Sequence, residues 1–287
     1  MKYFFLALLL PTLTFAQHDP KLEKGLRDVI SGFHGDVGIY VRNLKTGHYA
    51  EINVDSIFPT ASIVKVPILV GVFDKIEKGE LQYHQPLIYR DSAKYGGSGI
   101  MQYFKDSSDT ELSVLLALMM SYSDNTASLW NQALAGGGER INQLMEQYGL
   151  HVTKVNSRTA GRQEIWKIYG WGMTTPREMT TLMIKIRNGE IISKSASERM
   201  YRLMTHPYYD EGAISAIPPY VQAAHKSGAV DESRSEVVYV NAPHGEYAFY
   251  IGTKNIADKS WTDDNEASIL IRKVSKYLWE YFENKKA

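Results

Sequence analysis

The sequence contains no cysteine. That excludes disulfides, a thiol nucleophile and a lipid-anchored cysteine. Charge of one sign is missing too: 32 basic and 32 acidic side chains leave a net charge of zero, which argues against a nucleic-acid partner or an anionic membrane surface. No repeat, low-complexity run or long linker interrupts the 287 residues. The histidines are scattered without metal-ligand spacing, so no metal is expected, and no sequence feature calls for another cofactor. Gly136-Gly137-Gly138 lacks the strand-to-helix lysine context of a phosphate loop and reads as a helix-helix turn. Long apolar runs are absent with one exception. Lys2, an apolar stretch from Tyr3 to Leu10, Pro11 and the small-residue exit Thr14-Phe15-Ala16 predict a secretory leader over residues 1–16, cleaved after Ala16. On that reading the remaining chain is exported, periplasmic or secreted, with no membrane anchor after cleavage. Its substrate is expected to be a small molecule.

What is present is an ordered alternation of patterns. Asp19 to Phe33 places Leu22, Leu26, Val29 and Ile30 at helical spacing, and strand patterns at Val37–Val41 and Tyr49–Ile52 flank the turn Lys45-Thr46-Gly47. Helix patterns fill the middle, at Ser62–Gly79, Thr110–Ser121, Asn125–Ala135, Glu139–Tyr148, Pro176–Asn188 and Ser195–Met204. Strand patterns return at Gln222–Ser227, Glu236–Asn241 and Tyr247–Thr253, before a final amphipathic helix from Asp264. Strands at both ends around a helical insertion imply an α+β fold in which the two ends share one sheet. The expected division is a sheet domain from residues 17–57 and 206–287 and a helical domain from 58–205, with a ligand cleft between them.

Three short polar clusters carry the chemistry: Ser62-Ile63-Val64-Lys65, Ser123-Asp124-Asn125 and Lys226-Ser227-Gly228. On a helix, Ser62 and Lys65 share one face, so the amine can take the hydroxyl proton if burial or a second cation lowers its affinity for protons. Pro67 is a tension, because inside a helix it removes a hydrogen bond. Ser123 can relay a proton to a leaving nitrogen, and the Asn125 amide can bind an acyl-amide group. Lys226 and Ser227 can hold a carboxylate, Gly228 admits close backbone approach, and the backbone N–H of Ala229 pairs with that of Ser62 as a candidate oxyanion hole. Each cluster alone also fits a helix cap or a solvated strand lysine. Their order around the helical insertion points instead to acyl transfer through a serine nucleophile.

These motifs, with Phe58-Pro59-Thr60-Ala61, Ser98-Gly99-Ile100, His151-Val152-Thr153 and Thr174-Thr175-Pro176, resemble the class A β-lactamase-like serine hydrolases over nearly the whole mature length. The resemblance implies an antiparallel sheet flanked by N- and C-terminal helices plus an all-helical domain. It also implies hydrolysis of a β-lactam amide through an acyl-Ser62 intermediate, and assigns Arg234 to substrate binding.

The resemblance breaks in the family's omega loop. The positions of its water-activating glutamate and following asparagine fall on Thr159 and Gln163, and those of its clasping Arg–Asp pair fall on Ser157 and Gly172. Glu164 is the only carboxylate between the loop anchors, and is the candidate deacylation base. Either it substitutes for the missing group, or it points to solvent and deacylation is slow. The alternatives to a β-lactamase are a D,D-peptidase or penicillin-binding protein acting on peptidoglycan stems, and a noncatalytic binder of β-lactams or cell-wall fragments.

Overall fold

The structure, a computed structural model, describes residues 16–283, so the predicted leader lies outside the described residues except for Ala16. The described residues open with β1 (Gln17–His18), α1 (Pro20–Ile30), β2 (Asp36–Asn43), β3 (His48–Ile52) and β4 (Phe58–Pro59), then pass through a 3-10 turn at Ala61–Val64 into α2 (Lys65–Glu77). The middle comprises β5 (Pro86–Ile88), β6 (Asp109–Glu111), α3 (Leu112–Ser121), α4 (Asn125–Leu134), α5 (Gly137–Gln147), β7 (Lys154–Val155), α6 (Gln163–Tyr169), β8 (Gly172–Thr174), α7 (Pro176–Arg187) and α8 (Lys194–Met204). They close with β9 (Ala223–Val230), β10 (Ser233–Val240), β11 (Tyr247–Lys254) and α9 (Glu266–Glu283).

Six strands form one sheet in the order β1-β3-β2-β11-β10-β9, so the two ends of the sequence do share a sheet. The fold class is α+β, as expected. All eight residues of β10 are buried, because helices cover both faces of the sheet. One face packs on α1 and α9 through Leu22, Leu26, Val238, Val240, Phe249, Leu270 and Val274. The other contributes Val237, Tyr239, Ala248 and Tyr250 to the core of the helical insertion, beside Val66, Leu69, Leu116, Met179 and Met183. The helical insertion therefore shares its core with one face of the sheet, while α1 and α9 form a second core on the other. No helix among the described residues is long and apolar enough to cross a membrane.

Two local features position the site. The α-helical part of the Ser62 segment starts only at Lys65, so Pro67 sits in the first turn, where its missing N–H would have no intrahelical acceptor. The tension at Pro67 is resolved by the preceding 3-10 turn. At the other end of the sheet β9 is an edge strand, held in register by Ser227 opposite Glu236, Gly228 opposite Ser235 and Ala229 opposite Arg234.

Candidate active site

The residues of the first two clusters converge on one amine. Lys65 is wholly buried, and its Nζ lies 2.9 Å from Ser62 Oγ, 3.0 Å from Ser123 Oγ, 2.6 Å from the Ser123 carbonyl and 3.0 Å from Asn125 Oδ1. The backbone is left-handed at Ala61 (φ 43°) and at Ser123 (φ 51°), conformations that non-glycine residues adopt at a cost of about 1–3 kcal/mol each. Both flank the amine. Such strain persists only where surrounding contacts enforce it, and here it aims Ser62 and Ser123 at the same point.

Asp124, between the two site residues, is buried and spends its carboxylate on structure. Its Oδ1 accepts from Ala127 N at 2.8 Å, capping α4, and its Oδ2 accepts from Met101 N at 2.7 Å. The second tie holds the neighbouring loop, whose Ser98 carbonyl accepts from Asn125 N at 3.0 Å. Asn125 Nδ2 donates to the Gly96 carbonyl at 3.1 Å, which leaves its second N–H for a ligand.

The third cluster comes from β9. Gly228 lies against the segment leading into the nucleophile: a Cβ there would stand 2.3 Å from the Thr60 carbonyl oxygen and 3.1 Å from Ser62 N. The close approach expected at Gly228 is therefore with the protein's own chain. Lys226 is 3 % exposed, and its Nζ donates to the Ser227 carbonyl at 3.0 Å. Burial pulls its pKa down to about 8, against the opposing effect of the Glu236 carboxylate. Burial first, and then the Lys226 charge, hold the Lys65 ammonium well below the usual lysine range, with Asp124 opposing.

A cavity of about 600 Å³ is lined by Ser62, Ser123, Asn125, Ser227, Gly228 and Ala229. Arg234 also borders it, but most of its donors are engaged. Its guanidinium donates to the carbonyls of Val230, Ser233 and Ser260 and stacks 4.4 Å above the Trp261 ring. Arg234 thus braces the β9–β10 turn against the segment before α9.

Glu164 is not brought to this centre. Its side chain is 82 % exposed on α6, pairs with Lys167 Nζ at 2.7 Å and lines neither this cavity nor the neighbouring one. Of the two placements expected for Glu164, the side chain takes the one that points to solvent. Thr159 and Gln163 line a separate cavity with Tyr95, Trp166 and Trp171. Thr159 Oγ1 donates to the Ser157 carbonyl at 3.0 Å, and a Cβ on Gly138 would strike it. At Gly172 a Cβ would come within 2.7 Å of Thr60 Oγ1, Val64 Cγ2 and the Lys154 carbonyl, so a carboxylate side chain has no room. The loop is clasped by amides. Asn156 accepts from Arg162 Nε at 2.8 Å and donates to the Gly170 carbonyl at 3.1 Å, while Gln132 Nε2 donates to the Ser157 carbonyl at 2.6 Å.

Sequence reasoning missed Glu236, a buried carboxylate on the cavity wall that accepts from the Ala213 backbone and meets His225 Nδ1 at 3.1 Å. The available signal was a charge directly before the apolar run Val237–Val240, where burial demands a partner.

A cleft between a β-sheet edge and a helical insertion, with a hydroxyl, a buried amine and a second cation, defines a serine acyl-transfer fold. Residues 21–282 match the β-lactamase enzyme family. The chain therefore belongs to that family and is a serine β-lactamase-like hydrolase. Beta-lactamase VEB-1 of Pseudomonas aeruginosa is 22% identical over 271 residues, covering 91% of this chain and 90% of that protein. Among solved structures, PBP-A is 28% identical with a TM-score of 0.84, over 95% of this chain and all of that one. A leucine-to-glutamate variant of PBP-A, seen as an acyl-enzyme complex with penicillin G, matches equally well. A β-lactamase from Sphaerobacter thermophilus shares the fold, with a TM-score of 0.81 at 19% identity over 93% of this chain and 98% of that one.

Proposed function

We propose that this exported protein opens β-lactams through an acyl-Ser62 intermediate that it releases slowly. One observation carries the reading: Ser62 Oγ lies 2.9 Å from a buried amine that burial and a second cation dispose to be neutral. Neutral Lys65 takes the Ser62 proton as the oxygen attacks the amide carbonyl, and the N–H groups of Ser62 and Ala229 hold the oxyanion. The C–N bond breaks as Ser123 passes a proton to the leaving nitrogen. Asn125 orients the acyl amide, while Lys226 and Ser227 hold the carboxylate, with Arg234 supporting that wall.

Slow release is supported by the exposure of Glu164 and by a loop that presents Thr159 and Gln163 to a different cavity. Loss of a positioned general base costs on the order of 10² to 10⁴ in rate. The same observation favours a second reading, a D,D-peptidase or penicillin-binding protein on peptidoglycan stems, to which the likeness to PBP-A adds weight. Intact-mass analysis after mixing with penicillin G tests the proposal. A persistent adduct of one penicillin on Ser62 is expected; rapid return to the free mass overturns slow release, and no adduct with no turnover overturns both readings.

A further inference from the structure

The catalytic cavity is longer than its chemistry requires. Beyond Ser227 and Arg234 it continues along Tyr209, Glu211, Trp261, Ile271 and Arg272. The register of the edge strand explains the route. Gly228 meets Thr60 on one face of the sheet, whereas Ser227 with Glu236, and Ala229 with Arg234, lie on the opposite face, which packs on α9. The cavity thus passes round the unpaired edge of β9, from the face of the nucleophile to the face of α9. A leaving group that ends at its own carboxylate, held at Lys226 and Ser227, stops short of this annex.

We propose that the annex receives a side chain on the leaving amine, so that the preferred substrate loses an amine bearing both a carboxylate and a further aliphatic chain with a cationic end. The proposal rests on the acyl-Ser62 reading. One face of the Trp261 indole is covered by Arg234, yet the residue is 66 % exposed, and Ile271 adds a buried apolar surface for methylene groups. The Glu211 side chain is exposed and forms no ion pair among the described residues, while the Arg272 guanidinium is held back by donating to the Asp263 carbonyl at 2.7 Å. An ammonium at the chain's end therefore has a carboxylate to meet. Two sources share this chemistry: a wall peptide whose leaving residue is a D-amino acid with a free side-chain ammonium, and a β-lactam with a long basic substituent on its carboxylate-bearing ring. In either case Ser62 Oγ bonds to the carbonyl carbon, the C–N bond breaks and the nitrogen leaves with the proton from Ser123.

The test is the second-order acylation rate, followed by intact mass, for N-acyl-D-alanyl donors ending in D-alanine, D-norleucine or D-lysine. D-Lysine is expected to exceed D-alanine on the order of tenfold, with D-norleucine between. Trp261→Ala should abolish the advantage of both long side chains, and Glu211→Gln should bring D-lysine down to D-norleucine. Equal rates for all three donors overturn the annex. If penicillin G acylates Ser62 but no peptide does, cephalosporins with and without an aminoalkyl group on the carboxylate-bearing ring decide: a faster rate with the amine supports the annex with a β-lactam as its source, and equal rates overturn it. Absence of a penicillin adduct indicts the nucleophile assignment instead.

Discussion

Gly228 and Thr60 approach so closely that no side chain larger than hydrogen fits between β9 and the turn that carries Ser62. This contact sets how far the edge strand stands from the nucleophile. Gly228→Ala would place a Cβ 2.3 Å from a carbonyl oxygen, so the strand or the turn must move. Overpacking of this kind costs about 1–3 kcal/mol. The variant is expected to lose several degrees in Tm and to acylate with penicillin G at least roughly tenfold more slowly, because the oxyanion hole proposed for Ser62 and Ala229 would be pushed apart. Thermal melts and stopped-flow acylation check both.

Acylation should have a bell-shaped pH profile. Its acid limb follows Lys65, which must be neutral to accept a proton and whose pKa lies well below the usual lysine value. Its alkaline limb follows Lys226, which must stay charged to attract a carboxylate and loses its proton at about 8. Lys226→Arg keeps the charge to higher pH, so the alkaline limb should move up while the acid limb stays within its range. An unchanged alkaline limb would detach Lys226 from substrate binding.

The same buried cation should cost stability. Its folded pKa of about 8 lies below the ordinary lysine value of 10.5, so between these pH values the unfolded chain binds more protons than the folded one. Stability contributed at this site therefore rises with pH through that window and is lowest below pH 8. Lys226→Met should raise Tm by a few degrees at pH 7, with an advantage that shrinks as pH approaches 10, while acylation by anionic β-lactams falls sharply. Differential scanning fluorimetry across pH 6–10 reads the first effect, and acylation kinetics the second.

Ser62 and Lys65 were legible because a three-residue spacing on a helical turn puts both side chains on one face, and Ser123 and Asn125 because they flank Asp124, the cap of α4. The helices were legible for the first of these reasons. The start of β10 was not, since Ser233, Arg234 and Ser235 are polar yet buried, and no alternation marks them. Nor was α6, which buries none of its seven residues and so carries no apolar stripe. Arg234 looked like a free anion receptor because its carbonyl partners, Val230, Ser233 and Ser260, have no side-chain signature. Pro67 looked like a helix breaker because the 3-10 turn before Lys65 has none either.

Restoring a carboxylate by sequence position alone should not restore hydrolysis. Thr159 is buried, bonded to the Ser157 carbonyl and pressed on Gly138, so a glutamate there must either bury a charge in the Tyr95–Trp171 cavity or displace the loop. Thr159→Glu is expected to lower Tm and leave the acyl-Ser62 lifetime within about threefold of the parent, since a base contributes only when it reaches the attacking water. Glu164→Gln should likewise leave that lifetime unchanged, because an exposed carboxylate paired with Lys167 has no route to the acyl group. Both lifetimes can be read by intact mass after excess penicillin G is removed. A Glu164→Gln adduct that outlives the parent's by tenfold or more would return Glu164 to the catalytic centre and require α6 to move.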